Sequence, residues 1–186
     1  MQRRHFLAAT AVLAAPAWAQ PAQPALPSGP VRIVVGFPPG GGTDVLARIL
    51  AQKLAPIWGV PVIVDNRAGA SGVIAADHVA KQASDGNTLL MAHINSHGIA
   101  SGLQPRLGYS ADRDFTPITM VGQTPMMLVT TPQQPARTLA ALVELCRRSP
   151  GRVTFGSAGA GSAQHLALEA FKAHARIDAL HVPYKG

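Results

Sequence analysis

The chain has 186 residues, which is enough for one domain or for one lobe and most of a second. Its net charge of +7 comes from dispersed Lys and Arg residues that are not interleaved with aromatic residues, which argues against a nucleic-acid-binding surface. The single cysteine, Cys146, excludes an internal disulfide, and the apolar helical pattern around it predicts a core position.

The N-terminus has the pattern of an export signal. A positive n-region, a short apolar run and an A-x-A cleavage site follow one another as Arg3-Arg4, Phe6 to Ala15 and Ala17-Trp18-Ala19. The apolar run is too short to span a membrane. The paired arginines fit a twin-arginine signal, and an ordinary Sec signal fits as well. We predict a cleaved signal peptide over residues 1–19 and a Pro-rich linker over 20–30.

A glycine-rich turn follows the first predicted strand. Val31 to Val35 is an apolar β-type run, and Val45 to Trp58 has the periodicity of a helix. Between them lies the segment GFPPGGGTD, residues 36–44. Glycines let the backbone approach a ligand closely, and a helix N-terminus offers unpaired N–H groups to an anion. The segment is therefore either an anion-binding loop or simply a well-built turn whose Thr43 and Asp44 favour a helix start.

Strand and helix patterns continue to alternate along the chain. We predict further strands at 60–64, 88–92, 116–121, 126–130, 153–156 and 179–182, and further helices at 73–82, 139–148 and 163–175. The section 93–114 is less regular. Continuous apolar strands alternating with helices are typical of parallel sheets with helices on both faces, so we predict an α/β fold.

The strand, glycine-rich turn and helix start occur a second time. The segment Ser157-Ala158-Gly159-Ala160-Gly161-Ser162 lies between a predicted strand and a predicted helix. Two such helix starts favour ligand binding in a cleft. We expect lobe 1 to comprise residues 31–115 and lobe 2 residues 116–186. Because Tyr184-Lys185-Gly186 comes directly after a strand, we expect lobe 2 to be incomplete and the chain to be a fragment.

Several sequence blocks occur in a distinctive order along the mature chain. They are VRIVV (31–35), FPPGGGTD (37–44), VIVDNRAGASG (62–72), DGNTLL (85–90), RDFTP (113–117), SAG (157–159) and HVPYKG (181–186). Together they resemble the Bug-type (TctC-type) substrate-binding proteins of tripartite tricarboxylate transporters. The resemblance implies a type II periplasmic-binding-protein-like fold, in which two lobes with mainly parallel sheets close over a small carboxylated solute. It also implies a periplasmic monomer without a cofactor that delivers its ligand to membrane transporter subunits or to a sensor.

The resemblance further implies which residues meet the ligand. Members of this family hold ligand carboxylates through main-chain groups of the two glycine-rich loops and through ordered waters. On this chain the implied contacts are Phe37, Gly40, Gly41, Gly42, Thr43, Asp44, Ser96, His97, Ser157, Ala158, Gly159, Ala160, Gly161, Ser162, His165 and Tyr184. Phe37 is expected as a pocket wall or as a core residue. Asp44 is expected to cap its helix or to order a water rather than to meet an anionic ligand.

The chain departs from the family pattern near the expected ligand. Family members often carry a polar residue where this chain has Ala160, and hydroxyl residues where it has Ala163 and Gln164. The region after the third strand is usually small and hydroxylated, and here it is His93-Ile94-Asn95-Ser96-His97. The ligand itself therefore does not carry over.

Three other kinds of site share some of these sequence features. A nucleotide- or phosphate-binding enzyme is disfavoured because residues 40–43 lack the lysine of a P-loop and residues 156–161 spell G-x-x-G-x-G rather than G-x-G-x-x-G. A metal site formed by His93 and His97, with His165 opposite, would need a helix, whereas Asn95, Ser96 and Gly98 indicate a loop.

A hydrolase is the remaining alternative, because Ser157 and Ser162 lie near His165 in the sequence and Ser96 lies next to His97. No G-x-S-x-G motif is present and no acidic residue is placed to orient a histidine. We therefore expect no catalysis and no metal ion.

Overall fold

The structure alternates strands and helices along the chain. The computed structural model describes residues 27–185, so the predicted signal peptide and most of the predicted linker lie outside the described residues. The strands are β1 (Val31–Val35), β2 (Val62–Asn66), β3 (Thr88–Met91), β4 (Thr154–Ser157) and β5 (Leu180–Pro183). The helices are α1 (Gly42–Trp58), α2 (Val73–Ala80), α3 (Ala100–Leu103), α4 (Leu139–Arg148) and α5 (Ala163–Ala175). Within the described range no helix is both long and apolar enough to cross a membrane.

All strands pair in parallel, in two separate sheets. The first sheet has the order β2-β1-β3 and the second pairs β4 with β5. Parallel neighbours need a crossover connection, and α1, α2 and α5 supply these. The predicted α/β class with parallel sheets and flanking helices is confirmed, while the division into lobes at residues 115 and 116 stays a prediction.

The core of the first sheet is built on its central strand. Val31, Val34 and Val35 of β1 are fully buried, as a strand covered on both faces requires. Ile33 and Val35 pack against Ala47 and Ala51 of α1. Burial of one such aliphatic side chain contributes about 1.5–3 kcal/mol, so this strand anchors the N-terminal half.

A buried carboxylate fixes the turn between β1 and α1, the first glycine loop (residues 36–42). Asp44 is 2% exposed and accepts hydrogen bonds from Gly40 N at 2.9 Å, Arg48 Nε at 2.8 Å and Asn66 Nδ2 at 2.9 Å. Asn66, at the end of β2, also donates to the Phe37 carbonyl at 3.1 Å. The Arg48 guanidinium, with the Gly40 amide and Asn66, holds the pKa of Asp44 well below its usual range. Asp44 therefore joins the loop, α1 and β2.

The start of α1 differs in detail from the expectation. Gly41 is the residue that caps the helix, and no side chain accepts a hydrogen bond from its first turn. Asp44 lies in that turn, where a negative charge is favourable, but its carboxylate is bonded back to Gly40 instead of capping the helix. Its role is to hold the loop.

The strands predicted at 116–121 and 126–130 are wrong. Residues 104–138 contain no strand, and Ile118, Met120, Met127 and Val129 are each more than 70% exposed. The sequence pattern is apolar and β-type, but a strand needs a neighbour to accept and donate its backbone hydrogen bonds. Within the described residues no strand pairs with this stretch.

Replacing Gly36 with Ala should destabilise the protein by about 1–3 kcal/mol, the usual cost of overpacking. A Cβ at Gly36 would lie 2.7 Å from Gly72 Cα and 3.3 Å from Ala75 Cβ, so backbone would have to move. Denaturant unfolding measures the effect as a lower midpoint with an unchanged slope. Gly29→Ala is the matched control, because nothing lies within 4 Å of its added Cβ. Equal midpoints for the two variants would contradict this packing.

Replacing Asp44 with Asn should lower the unfolding midpoint at neutral pH. In either orientation of the new side chain its NH₂ group would face a donor, which is Gly40 N with Arg48 Nε in one orientation and Asn66 Nδ2 in the other. The pKa of Asp44 is lowered in the folded state, so its contribution is fully present above the ordinary value of 3.8 and is lost only as the pH falls through the folded value. The deficit should thus be the same at pH 7 and pH 5. Asp112→Asn, at an exposed position, is the control, and a deficit no larger than the control's would refute the network.

Candidate functional site

A cavity of about 240 Å³ lies where the loops of the two sheets meet. Its walls come from four segments at the carboxyl ends of strands: Gly36 and Phe37 after β1, Gly69 to Ser71 after β2, Ala158 to Ala160 after β4, and Pro183 to Lys185 at the end of β5. Parallel strands bring such loops to one edge of a sheet, where ligands of α/β proteins commonly bind. The cavity is the candidate binding site.

The wall contributed by residues 69–71 was missing from the site expected from the sequence. Ala70 and Ser71 have φ values of 47° and 53°, a left-handed conformation that non-glycine residues rarely adopt. Such residues cost about 1–3 kcal/mol each and cluster at functional sites. Ser71 Oγ also donates to the Ala160 carbonyl at 3.2 Å and so links the two halves of the chain. The turn-rich composition of residues 66–72 was the available signal.

The second glycine loop (residues 157–162) is held by hydrogen bonds within the protein. Gly159 N donates to Ser157 Oγ at 3.1 Å, Ser162 N donates to the Gly159 carbonyl at 3.2 Å, and Gly161 N donates to His165 Nδ1 at 3.1 Å. Ser162 caps α5 by accepting from His165 N at 3.2 Å. These three amides are thus hydrogen-bonded to partners in the loop itself or in the first turn of α5.

A backbone N–H group at the start of α5 finds its hydrogen-bond acceptor in the other half of the chain. Ala163 N, in the first turn of α5, donates to Asn95 Oδ1 at 3.0 Å. Asn95 is 1% exposed and lies in a π-helical turn, Asn95–Ile99, that follows β3. The sequence composition indicated a loop at Asn95, Ser96 and Gly98, and the helical turn corrects that expectation. Asn95 therefore joins the halves rather than lining the cavity.

The residues expected to meet the ligand separate into two groups. The cavity is lined by Phe37, Ala158, Gly159, Ala160 and Tyr184. The remaining residues do not line it; these are Gly40, Gly41, Gly42, Thr43, Asp44, Ser96, His97, Ser157, Gly161, Ser162 and His165. Most of this second group belongs to the two glycine loops or is hydrogen-bonded to them, outside the cavity. Phe37 lines the cavity and also packs against the core of the first sheet.

The two histidines that follow β3, His93 and His97, pack against different aromatic rings. The His93 ring meets Phe37 edge-on with centroids 5.1 Å apart, whereas His97 meets Phe115 at 4.7 Å and Tyr109 at 6.1 Å. Burial lowers the pKa of both imidazoles. Among the described residues, no group of three or more His, Cys, Asp or Glu side chains is placed to hold a metal ion.

Two serine hydroxyls contact histidine rings. Ser96 Oγ lies 2.9 Å from His97 Nδ1, a pair expected from the sequence, whereas Ser157 contacts a histidine other than His165. Ser157 Oγ lies 2.6 Å from His181 Nε2, on the neighbouring strand. Ser157 is buried, and its hydroxyl also contacts the amide and the carbonyl of Gly159. Within the described residues no carboxylate is hydrogen-bonded to His181, as the orienting group of a hydrolase triad would be. The contact holds the loop, and the geometry does not favour hydrolysis.

The cavity has the chemistry of a site for a small anionic molecule with a carbon body. Phe37, Ala70, Ala158, Ala160 and Pro183 give it apolar walls. Of its described lining residues Lys185 is the charged one, and Ser71 and Tyr184 offer hydroxyl groups. A few polar groups in an otherwise apolar cavity are typical of small-molecule sites.

The chain is similar to proteins of one family in sequence and in structure. Residues 46–186 match the model of the tripartite tricarboxylate transporter family receptor, TctC. The protein BugT of Bordetella pertussis is 42% identical over 179 residues, which cover 96% of this chain and 54% of BugT. The chain spans about half the length of the curated relatives it matches.

Two solved structures extend the similarity to the fold. Rpa4515 of R. palustris with adipate matches with a TM-score of 0.82 and 36% identity, over 86% of this chain and 54% of that one. MatC of Rhodopseudomonas palustris with bound malate matches with a TM-score of 0.79 and 33% identity, over the same shares of the two chains. The resemblance carried by the glycine-rich loops and the HVPYKG segment is thereby confirmed: the chain belongs to the TctC family of tripartite tricarboxylate transporter receptors.

Proposed function

We propose that this chain belongs to an extracytoplasmic receptor that captures a small carboxylated organic solute between its two halves. The observation that carries the proposal is the cavity formed jointly by residues 36–37, 69–71, 158–160 and 183–185. Neither sheet forms it alone, as expected for a receptor that encloses its ligand between lobes. The related structures with adipate and malate support a carboxylate as the ligand class.

The proposed binding mode follows from the lining of the cavity. Lys185 supplies a positive charge and the Tyr184 hydroxyl supplies a donor for a carboxylate. The one proton of the Ser71 hydroxyl is already donated to the Ala160 carbonyl. The apolar walls suit the carbon chain of the solute. Residues 40–44 lie outside this cavity, so we propose that Gly40, Gly41, Gly42, Thr43 and Asp44 act by fixing the position of Phe37.

The receptor acts after export. The predicted signal peptide, twin-arginine or Sec, would place the mature protein in the periplasm, in agreement with the family. There it would deliver its solute as a monomer to membrane transporter subunits or to a sensor. It uses no cofactor and catalyses no reaction; the Ser157–His181 contact holds a loop. A nucleotide-binding enzyme is not favoured by the family to which the chain belongs.

Thermal unfolding of the full chain against a ligand panel tests the proposal. The panel contains adipate, malate, tricarboxylates, amino acids and aromatic acids, with ATP, NAD and zinc as controls. A carboxylate at a hundredfold over its Kd should stabilise the protein by about 2.7 kcal/mol. Stabilisation by ATP, NAD or zinc alone would replace the proposal with one of the rival functions.

Replacing Gly159 with Ala should weaken binding of the stabilising carboxylate at least tenfold, about 1.4 kcal/mol. Gly159 has a φ of 122°, and a Cβ there would lie 3.1 Å from Ser71 Oγ and 3.3 Å from the Tyr184 carbonyl, inside the cavity wall. Gly102→Ala is the control, because nothing lies within 4 Å of its added Cβ. Titration calorimetry measures both affinities. An unchanged Kd for Gly159→Ala would show that the ligand binds elsewhere.

A further inference from the structure

Two histidines stack behind the second glycine loop. His165 lies in the first turn of α5 and His181 in β5, and their rings are 3.9 Å apart and 11° from parallel. The pair does not line the cavity, although each ring contacts the loop that does. The sequence separates the two residues, and only the packing of α5 on β5 brings them together.

The first contact requires a neutral His165. Its Nδ1 accepts the hydrogen bond of Gly161 N at 3.1 Å, and a ring nitrogen that accepts carries no proton. Protonation of Nδ1 would place two donors against each other and break this contact. Gly161, with a φ of 74°, is the residue where the loop turns into α5, so the contact fixes that turn.

The second contact ties the start of the loop to β5. His181 Nε2 lies 2.6 Å from Ser157 Oγ, and that oxygen accepts from Gly159 N at 3.1 Å. The Ser157 hydroxyl lies within reach of both the imidazole and the Gly159 carbonyl, 3.1 Å away. The two histidines therefore hold the loop at both ends, next to Ala158, Gly159 and Ala160 of the cavity wall.

The charges around the pair disfavour its double protonation. Two imidazolium rings stacked at 3.9 Å would repel each other. On α5, Glu169 Oε1 lies 3.9 Å from His165 Nε2 and is itself paired with Lys172 Nζ at 2.9 Å. Strand β4 carries no charged residue, and β5 carries none besides His181. The half-exposed Glu169 carboxylate, which offsets positive charge near the two rings, is thus already shared with Lys172.

We propose that His165 and His181 are positioning residues that hold the second glycine loop in its ligand-binding shape while His165 Nδ1 accepts from Gly161 N and the stacked rings are not both protonated, so that acidification releases the loop and weakens carboxylate capture. This rests on the proposed receptor function for its effect on binding, and on the geometry alone for its effect on the loop.

The lowered pKa of His181 agrees with a loss of the loop's shape at low pH rather than at high pH. Burial lowers it from the usual 6.5, and the positive charges of His165 and Lys172 lower it further against the opposing effect of Glu169. A histidine with a lowered folded-state pKa favours the folded state fully above the unfolded value of about 6.5. That contribution is lost as the pH falls from there through the folded value.

Amide hydrogen exchange of the full chain, read by NMR without ligand, tests the loop. At pH 7.5 the amides of Gly159 and Gly161 should be protected, and at pH 5.5 their protection, corrected for the intrinsic rate, should fall at least tenfold. Amides of the central strand β1 should keep theirs. Unchanged protection of Gly159 and Gly161 would overturn the proposal whatever the ligand turns out to be.

Adipate binding tests the functional consequence. The wild-type Kd, measured by calorimetry, should weaken at least tenfold between pH 7.5 and pH 6.0. The double variant His165→Asn with His181→Gln keeps acceptor atoms near the positions of Nδ1 and Nε2 but has no titrating group there. Its Kd for adipate should therefore change less than threefold over the same pH range. His174→Gln, on the exposed side of α5, should behave as wild type.

The exchange and binding experiments together distinguish a wrong ligand class from a wrong role for the histidine pair. If adipate and malate do not bind at any pH while the exchange result holds, the proposed ligand class is wrong and the histidine pair still controls the loop. If the double variant weakens as much as wild type, the pH dependence belongs to the ligand or to other histidines such as His93 and His97, and the proposed role in capture is refuted.

Discussion

Parallel pairing of the strands determines where the loops of this protein meet. Because β1, β2 and β3 run in one direction, the segments that follow them emerge at a single edge of the sheet. The pair β4 and β5 does the same in the second half. The cavity lies where these two edges face each other, so its position depends on strand direction before it depends on any individual side chain.

The loops at this edge are held by the protein itself. Asp44 fixes the first glycine loop, Asn95 occupies a donor at the start of α5, and Ser157 and His165 occupy amides of the second glycine loop. A loop that is already ordered costs less conformational entropy when a ligand binds. Several polar groups that the sequence suggested for ligand contact are thus hydrogen-bonded within the protein, next to the walls of the cavity.

Contacts between the halves of the chain use few residues. Ser71 reaches the Ala160 carbonyl, and Asn95 reaches the amide of Ala163. Both start from turns that follow strands of the first sheet and end on the segment that follows β4. The backbone around Ser71 is strained, which is common where a functional surface dictates the local conformation. Coupling of the halves and shaping of the cavity thus depend on the same loops.

The sequence by itself determined the family, the α/β class and most elements. The helices at 139–148 and 163–175 agree with α4 and α5, because apolar periodicity and the capping residues Thr138 and Ser162 are local signals. The parallel strands of the first sheet were found within about two residues because a strand buried on both faces is continuously apolar. The same signal misled at 116–130, since apolar β-type residues do not supply a pairing partner.

The tertiary structure decided which candidate residues face the cavity. Glycine-rich composition identified both loops, but it could not show that residues 40–44 would lie outside the cavity or that residues 69–71 would line it. It also could not bring His165 onto His181, or Asn95 onto Ala163. Local sequence sets backbone conformation over a few residues. These contacts join residues distant in the sequence, and only the packing of the two sheets and their helices places them together.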